Sequence, residues 1–282
     1  MEEGELEKYW DYVALEAKDF EKILRLEKWR KVARNWLADY ADKRAYDFVL
    51  KVIENVIKLN KPAKILDVGC GPGKWSILFA KKFGSTTAID VSPKMVLLAR
   101  ENARKHNLEN VDFYTMSVSK LNFPDETYDL VNCVTVLQHV LNDDDWRSAV
   151  HEMVRVTKTG GHILLFETAP NLAIIRRTRH LSIRTMRQYI DEFKKVGARF
   201  IYWRAVDLSL PITFFGLKTY SASFNKKVYY FMSKRMLFSA GFLSFLSLAA
   251  TVLAELIDYR FAETPLSYLS AGRILLFKKV KA

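Results

Sequence analysis

Residues 64–74 read Lys-Ile-Leu-Asp-Val-Gly-Cys-Gly-Pro-Gly-Lys, and this stretch decides the fold. Ile65, Leu66 and Val68 predict a short buried strand. Gly69, Gly71 and Gly73 then alternate through a tight turn into a helical segment near 74–82. A turn without Cβ atoms lets a ligand lie directly on the backbone. The next β-rich run, Ser85-Thr86-Thr87-Ala88-Ile89-Asp90, ends on an acid. A carboxylate at that place accepts hydrogen bonds from the hydroxyls of a ribose. Strand, glycine turn, helix, strand and acid together make the nucleoside-binding half of a doubly wound parallel sheet.

Working outward, strands are predicted near 64–68, 85–89, 111–115, 128–134 and 162–167, with helices near 74–82, 93–106 and 144–157. Strands alternating with helices imply a parallel sheet. A helix near 182–195 and strands at 199–206 and 273–277 follow. Residues 1–60 carry apolar positions at helical spacing, such as Trp10, Val13, Ala14 and Ala17, and predict an amino-terminal helical cap. The expected organisation is a cap over 1–60, a core domain over 61–206, an insertion over 207–271 and a last strand within 272–282.

The glycine spacing is Gly-x-Gly-x-Gly, not the Gly-x-Gly-x-x-Gly of a dinucleotide site. The string Leu66–Gly73 resembles the first motif of class I S-adenosylmethionine-dependent methyltransferases. The resemblance continues through Ala88-Ile89-Asp90-Val91-Ser92, Phe123–Val131, Val136-Leu137-Gln138-His139-Val140 and Lys158-Thr159-Gly160-Gly161. It implies an α/β, Rossmann-like sheet, mostly parallel with its last strand antiparallel, and a helical insertion before that strand. It also implies S-adenosylmethionine as cofactor. Gly69, Cys70, Gly71 and Gly73 would cradle the methionine part with Asp67 supporting the turn. Asp90 would hold the ribose and Val91 would pack on the adenine. Ser117 and Val118 stand where many relatives place an aspartate for the adenine amino group. Asn132, Cys133 and Val134, leaving the fourth strand, would lie near the reactive methyl.

Methyl transfer from a sulfonium is an in-line displacement, and a base is needed only when the acceptor must first lose a proton. His139, after the fourth strand, is the first candidate base, and Glu167, ending the fifth, is the second. Asn132 completes the candidate catalytic set. The chain lacks the cysteine pair of RNA cytosine C5 enzymes, since Asn132 precedes Cys133. It also lacks the (Asp/Asn/Ser)-Pro-Pro-(Tyr/Phe) signature of many exocyclic-amine enzymes.

Charge points to the acceptor. The chain has 282 residues and a net charge of +12. Residues 171–282 hold 19 Lys or Arg against 6 Asp or Glu; the remainder is nearly neutral. Arg176, Arg177, Arg179, Arg184 and Arg187 form the densest cluster, the expected substrate-binding surface. A localised basic field concentrates an anionic partner. RNA is the first expectation, ribosomal or transfer RNA methylated on a base nitrogen such as that of cytosine. A membrane-associated lipid or lipid-linked glycan is the alternative, and a non-catalytic RNA-binding module is the third. The uncharged run 236–254 favours the lipid; it is read as a buried or dimer-forming helix pair, with a helix on an anionic membrane surface as the other reading. Two cysteines cannot build a disulfide framework, and the five histidines lack ligand spacing, so no metal is expected. Met1-Glu2-Glu3-Gly4-Glu5 is not the start of a signal peptide, and a cytoplasmic location is expected.

Overall fold

A computed structural model describes residues 7–8, 10–11, 46–171, 181–205 and 272–281. Seven strands form one sheet: β1 (Ala63–Val68), β2 (Gly84–Asp90), β3 (Val111–Thr115), β4 (Tyr128–Val134), β5 (Thr157–Thr168), β6 (Ala198–Ala205) and β7 (Gly272–Lys279). Their order is β3-β2-β1-β4-β5-β7-β6. The first five are parallel to one another, and β7 runs antiparallel to both β5 and β6. This is the expected Rossmann-like methyltransferase sheet.

Helix α1 spans 46–57 and ends in a π-helical turn, Val52–Ile57. The others are α2 (Lys74–Lys82), α3 (Pro93–Lys105), α4 (Asp143–Val156) and α5 (Met186–Lys195). The starts of α3, α4 and α5 have a local cause. The Ser92 hydroxyl accepts from the Met95 N–H, and Pro93 follows at the first helical position. Asn142 accepts from the amides of Asp144 and Asp145, and three aspartates then face the positive helix end. Thr185 and Gln188 make a reciprocal capping box, which starts α5 at Met186, four residues later than the apolar spacing predicts.

The strands are apolar on both sides because both sides are covered. Side chains alternate across the sheet. Ile65, Leu130, Leu164 and Leu276 pack under Val49, Ile53 and Phe79 of α1 and α2. Leu66, Val131, Ile163, Leu165 and Leu275 pack on the other face, against Trp146, Val150 and Met153 of α4 and Tyr189 and Phe193 of α5. From β1 the chain steps outward to β3, then returns to β4 on the other side. Ligands of open parallel sheets bind where the order reverses, beyond the carboxyl ends of the strands.

Most of the expected cap (12–45), Arg176, Arg177, Arg179 and the insertion 207–271 with its uncharged run lie outside the described residues. No helix among the described residues is long and apolar enough to cross a membrane.

Candidate active site

A cavity of about 430 Å³ opens at that reversal point. Its floor is Val68–Pro72 after β1, Ile89–Val91 after β2 and Met116–Ser119 after β3. Its walls are Val134–Val136 and His139–Asn142 after β4, with Phe166, Trp75, Tyr46 and Trp10. The volume suits a small organic ligand.

The glycine turn divides its labour. Gly71 has φ +51°, and a Cβ on it would meet no atom within 4 Å, so it opens into the cavity. Gly69 is needed for a different reason: a Cβ there would stand 2.2 Å from Val136 Cγ2. Gly73 does not line the cavity. It precedes α2 and lets α3 approach, since its Cβ would sit 3.0 Å from that of Ala99. The expected contact of Gly73 with a cofactor is therefore replaced by helix packing.

Asp90 is fixed by backbone. Its Oδ2 accepts from the Gly71 N–H at 2.9 Å, and its Oδ1 from the Ser92 N–H at 2.9 Å. Burial pushes its carboxyl above the ordinary range, against the pull of the Ser92, Gly71 and Val91 amides. The carboxylate lines the cavity, where its remaining acceptor capacity suits a hydroxyl donor. Val91, Met95, Met116 and Val118 add apolar surface beside it, and Ser117 Oγ lies 2.9 Å from Ser119 Oγ. An open glycine cradle, a fixed carboxylate and an apolar slot fit a nucleoside carrying an amino-acid tail.

The fold and this site carry the identity of the domain. A family model described as a methyltransferase domain matches residues 65–161. The chain carries a class I, S-adenosylmethionine-dependent methyltransferase domain. An uncharacterized methyltransferase of Schizosaccharomyces pombe is 38% identical over 113 residues, covering 37% of this chain and 40% of that protein. A demethylmenaquinone methyltransferase of Listeria welshimeri is 32% identical over 121 residues, covering 42% of this chain and 50% of that protein. The match thus spans half or less of these relatives. The solved structure of a cyclase, SpnF, is similar in fold at a TM-score of 0.55 and 22% identity, over 82% of this chain and 79% of that one.

Within the methyltransferase domain, Gly69, Cys70, Gly71, Asp90, Val91, Ser117, Val118, Val134 and His139 line the cavity. Asp67 and Asn132 do not. They are cross-strand partners in β1 and β4, and both are buried. Asp67 accepts from Ser76 Oγ at 2.6 Å and Asn132 Nδ2 at 2.8 Å, which ties β1 to α2 and β4. Burial pushes the Asp67 carboxyl up to about 6. Asn132 is thus a support and not a catalytic group. Cys133 is likewise in the core.

Glu167 is also corrected. It is fully buried and absent from the cavity wall. Its Oε1 accepts from the Val136 N–H at 2.7 Å and the Leu137 N–H at 2.9 Å, and its Oε2 from the Gln138 N–H at 3.2 Å. A carboxylate occupied by three amides holds the turn after β4; it does not remove protons in the cavity. Arg184 is buried as well. It donates to the carbonyls of Leu137 and Val140 and to Asp143, and its guanidinium lies 4.5 Å from the Trp146 ring centroid. It braces that turn from behind and presents no surface for RNA. Arg187 is exposed and faces Asp191 at 3.6 Å.

The amino-terminal segment supplies wall residues. Trp10 meets His139 edge to face, with centroids 5.0 Å apart. Asp11 accepts from Ser92 Oγ at 2.6 Å and pairs with Lys94 at 3.3 Å, which docks the segment on the start of α3. Tyr46, Trp75 and Phe166 are wall residues that sequence reasoning misses. Tyr46 and Trp75 pack with centroids 4.2 Å apart, and their helical positions look like ordinary core.

Proposed function

We propose that this chain transfers a methyl group from S-adenosylmethionine to a small, largely apolar acceptor of the lipid or lipid-linked kind. The observation that carries this is the apolar part of the cavity wall: Trp10, Tyr46, Trp75, Phe166, Val136, Val140 and Leu141. Rings and aliphatic chains there favour an apolar ligand over a polyanion. The relative named a demethylmenaquinone methyltransferase acts, by its name, on demethylmenaquinone, a small molecule and not an RNA, and supports this reading.

The cofactor supplies an electrophilic methyl on a sulfonium. The chain supplies the rest. The Gly71 edge and Asp90 hold the nucleoside, and Met95, Met116 and Val118 hold the base. The apolar wall orients the acceptor and excludes water, so the displacement proceeds in line. Asp90→Ala removes a buried carboxylate from the ribose site. A charge-assisted bond contributes about 1.5–3 kcal/mol, so S-adenosylhomocysteine affinity should fall roughly tenfold to a hundredfold. Titration calorimetry measures it, and unchanged affinity would refute the ribose assignment.

RNA stays a second reading, favoured by the charge excess of residues 171–282. Incubation with methyl-labelled cofactor and separated cellular lipid, RNA and protein distinguishes the two. Label in lipid is the expected result. Label confined to RNA would overturn the apolar acceptor and restore the basic surface as the substrate site.

A further inference from the structure

Two consecutive residues of the amino-terminal segment reach opposite sides of the cavity. Trp10 packs edge to face on His139, in the turn after β4. Asp11 turns instead to the start of α3, in the loop after β2. β2 and β4 flank β1, so these loops stand about 10 Å apart at the ordinary strand spacing. Adjacent Cα atoms are only about 3.8 Å apart, and the two side chains cover the rest. The chain at 10–11 therefore bridges the two loops across the cavity beyond the glycine turn, with Trp10 in the wall.

One end of this bridge is well fastened. Asp11 Oδ1 accepts from Ser92 Oγ at 2.6 Å and from the Lys94 N–H at 3.3 Å, and its Oδ2 faces Lys94 Nζ at 3.3 Å. Ser92 is fully buried. Its hydroxyl oxygen accepts from the Met95 N–H at 3.1 Å, and its own N–H donates to Asp90 Oδ1 at 2.9 Å. One fixed residue thus holds the ribose carboxylate with its backbone and the bridge with its side chain. Burial, and after it the Asp11 charge, push the Asp90 carboxyl up, so the bridge lies close to the ribose site.

We propose that Asp11 is a positioning residue that straps Trp10 across the cavity, so that S-adenosylmethionine enters and S-adenosylhomocysteine leaves only while the Asp11–Ser92 contact is open. A ligand under the bridge favours the closed arrangement, and by linkage the closed arrangement holds the ligand. The strap rests on the cofactor site and not on the choice of acceptor.

The test follows bound, radiolabelled S-adenosylhomocysteine as an excess of unlabelled compound displaces it from the full chain. Asp11→Ala removes all three contacts, and dissociation should quicken about tenfold or more. Asp11→Asn keeps an oxygen for the Ser92 hydroxyl and the Lys94 amide, and should stay within about threefold of wild type. Lys94→Met removes only a half-exposed ion pair and should stay within about twofold. Trp10→Ala removes the strap and not its fastening, and should also quicken dissociation. Because the two residues act as one device, Asp11→Ala with Trp10→Ala should release no faster than the faster single variant. Unchanged dissociation in Asp11→Ala, even with a lower urea midpoint, would mark Asp11 as structural only and overturn the proposal. Additive effects of the two residues would overturn it as well. Labelled methyl found in RNA instead of lipid would sink the apolar acceptor and leave the strap standing.

Discussion

Gly71→Val should abolish S-adenosylhomocysteine binding, with a loss of at least about a hundredfold, while the protein stays folded. The position has φ +51°, and a side chain there projects into the cavity with no protein atom within 4 Å. The branched side chain would occupy the ligand's place. It would also strain the left-handed backbone by about 1–2 kcal/mol and disturb the amide that Asp90 accepts. Gly69→Ala is the matched contrast. Its φ is also positive, but its Cβ would meet Val136 Cγ2 at 2.2 Å, so the turn after β4 must move. That variant should lose stability first, and affinity only through the displaced wall. Calorimetric titration and thermal melts separate the two effects. Full-affinity binding by folded Gly71→Val would remove the glycine turn from the cofactor site.

The strands and most helix limits were legible because each leaves a local mark. The apolar runs of β1, β4 and β5 are buried on both faces, and Ser92 and Asn142 stand just before their helices, whereas the apolar spacing misses the Thr185 cap and places the start of its helix at 182. The direction in which each polar residue points was less legible. Phe166 and Glu167 are neighbours on β5, and alternation sends them to opposite faces. The phenyl ring reaches the cavity, and the carboxylate goes under the turn. Nothing in their order says which does which. Asp67 and Asn132 could have been paired from the parallel register alone, since both sit near the ends of adjacent strands. Arg184 misled for a related reason. It falls within a basic run, but a guanidinium can satisfy several carbonyls at once, and the fold uses it there. The apolar wall from Trp10 and Tyr46 depends on contacts across the chain that no local pattern encodes.

Glu167→Ala should destabilise the protein strongly, by about 3–6 kcal/mol at neutral pH. One buried and two partly buried amides would lose their acceptor at about 1–3 kcal/mol each, and a cavity would be left behind. The same carboxyl makes stability depend on pH. Burial pushes it from an ordinary 4.5 up to about 7, and outweighs the three amides that pull it down. Between those two values the folded state binds more protons than the unfolded state. Stability from this group is therefore fully present below about pH 4.5 and lost as pH rises through 7, by about 3 kcal/mol in total. Asp67, raised from 3.8 to about 6 by burial, adds a loss of the same sign over a lower window. Glu152, lowered by its bond to Arg155, acts in the opposite sense, so the net curve mixes both. Glu167→Gln isolates the contribution of Glu167. Its amide still accepts from two of the three N–H groups, but it does not titrate. In urea unfolding at several pH values between 4.5 and 7.5, wild type should lose stability relative to Glu167→Gln as pH rises. Parallel curves would mean that Glu167 titrates alike in the folded and unfolded states, and would refute the account of a carboxylate held under the turn at the cost of its own desolvation.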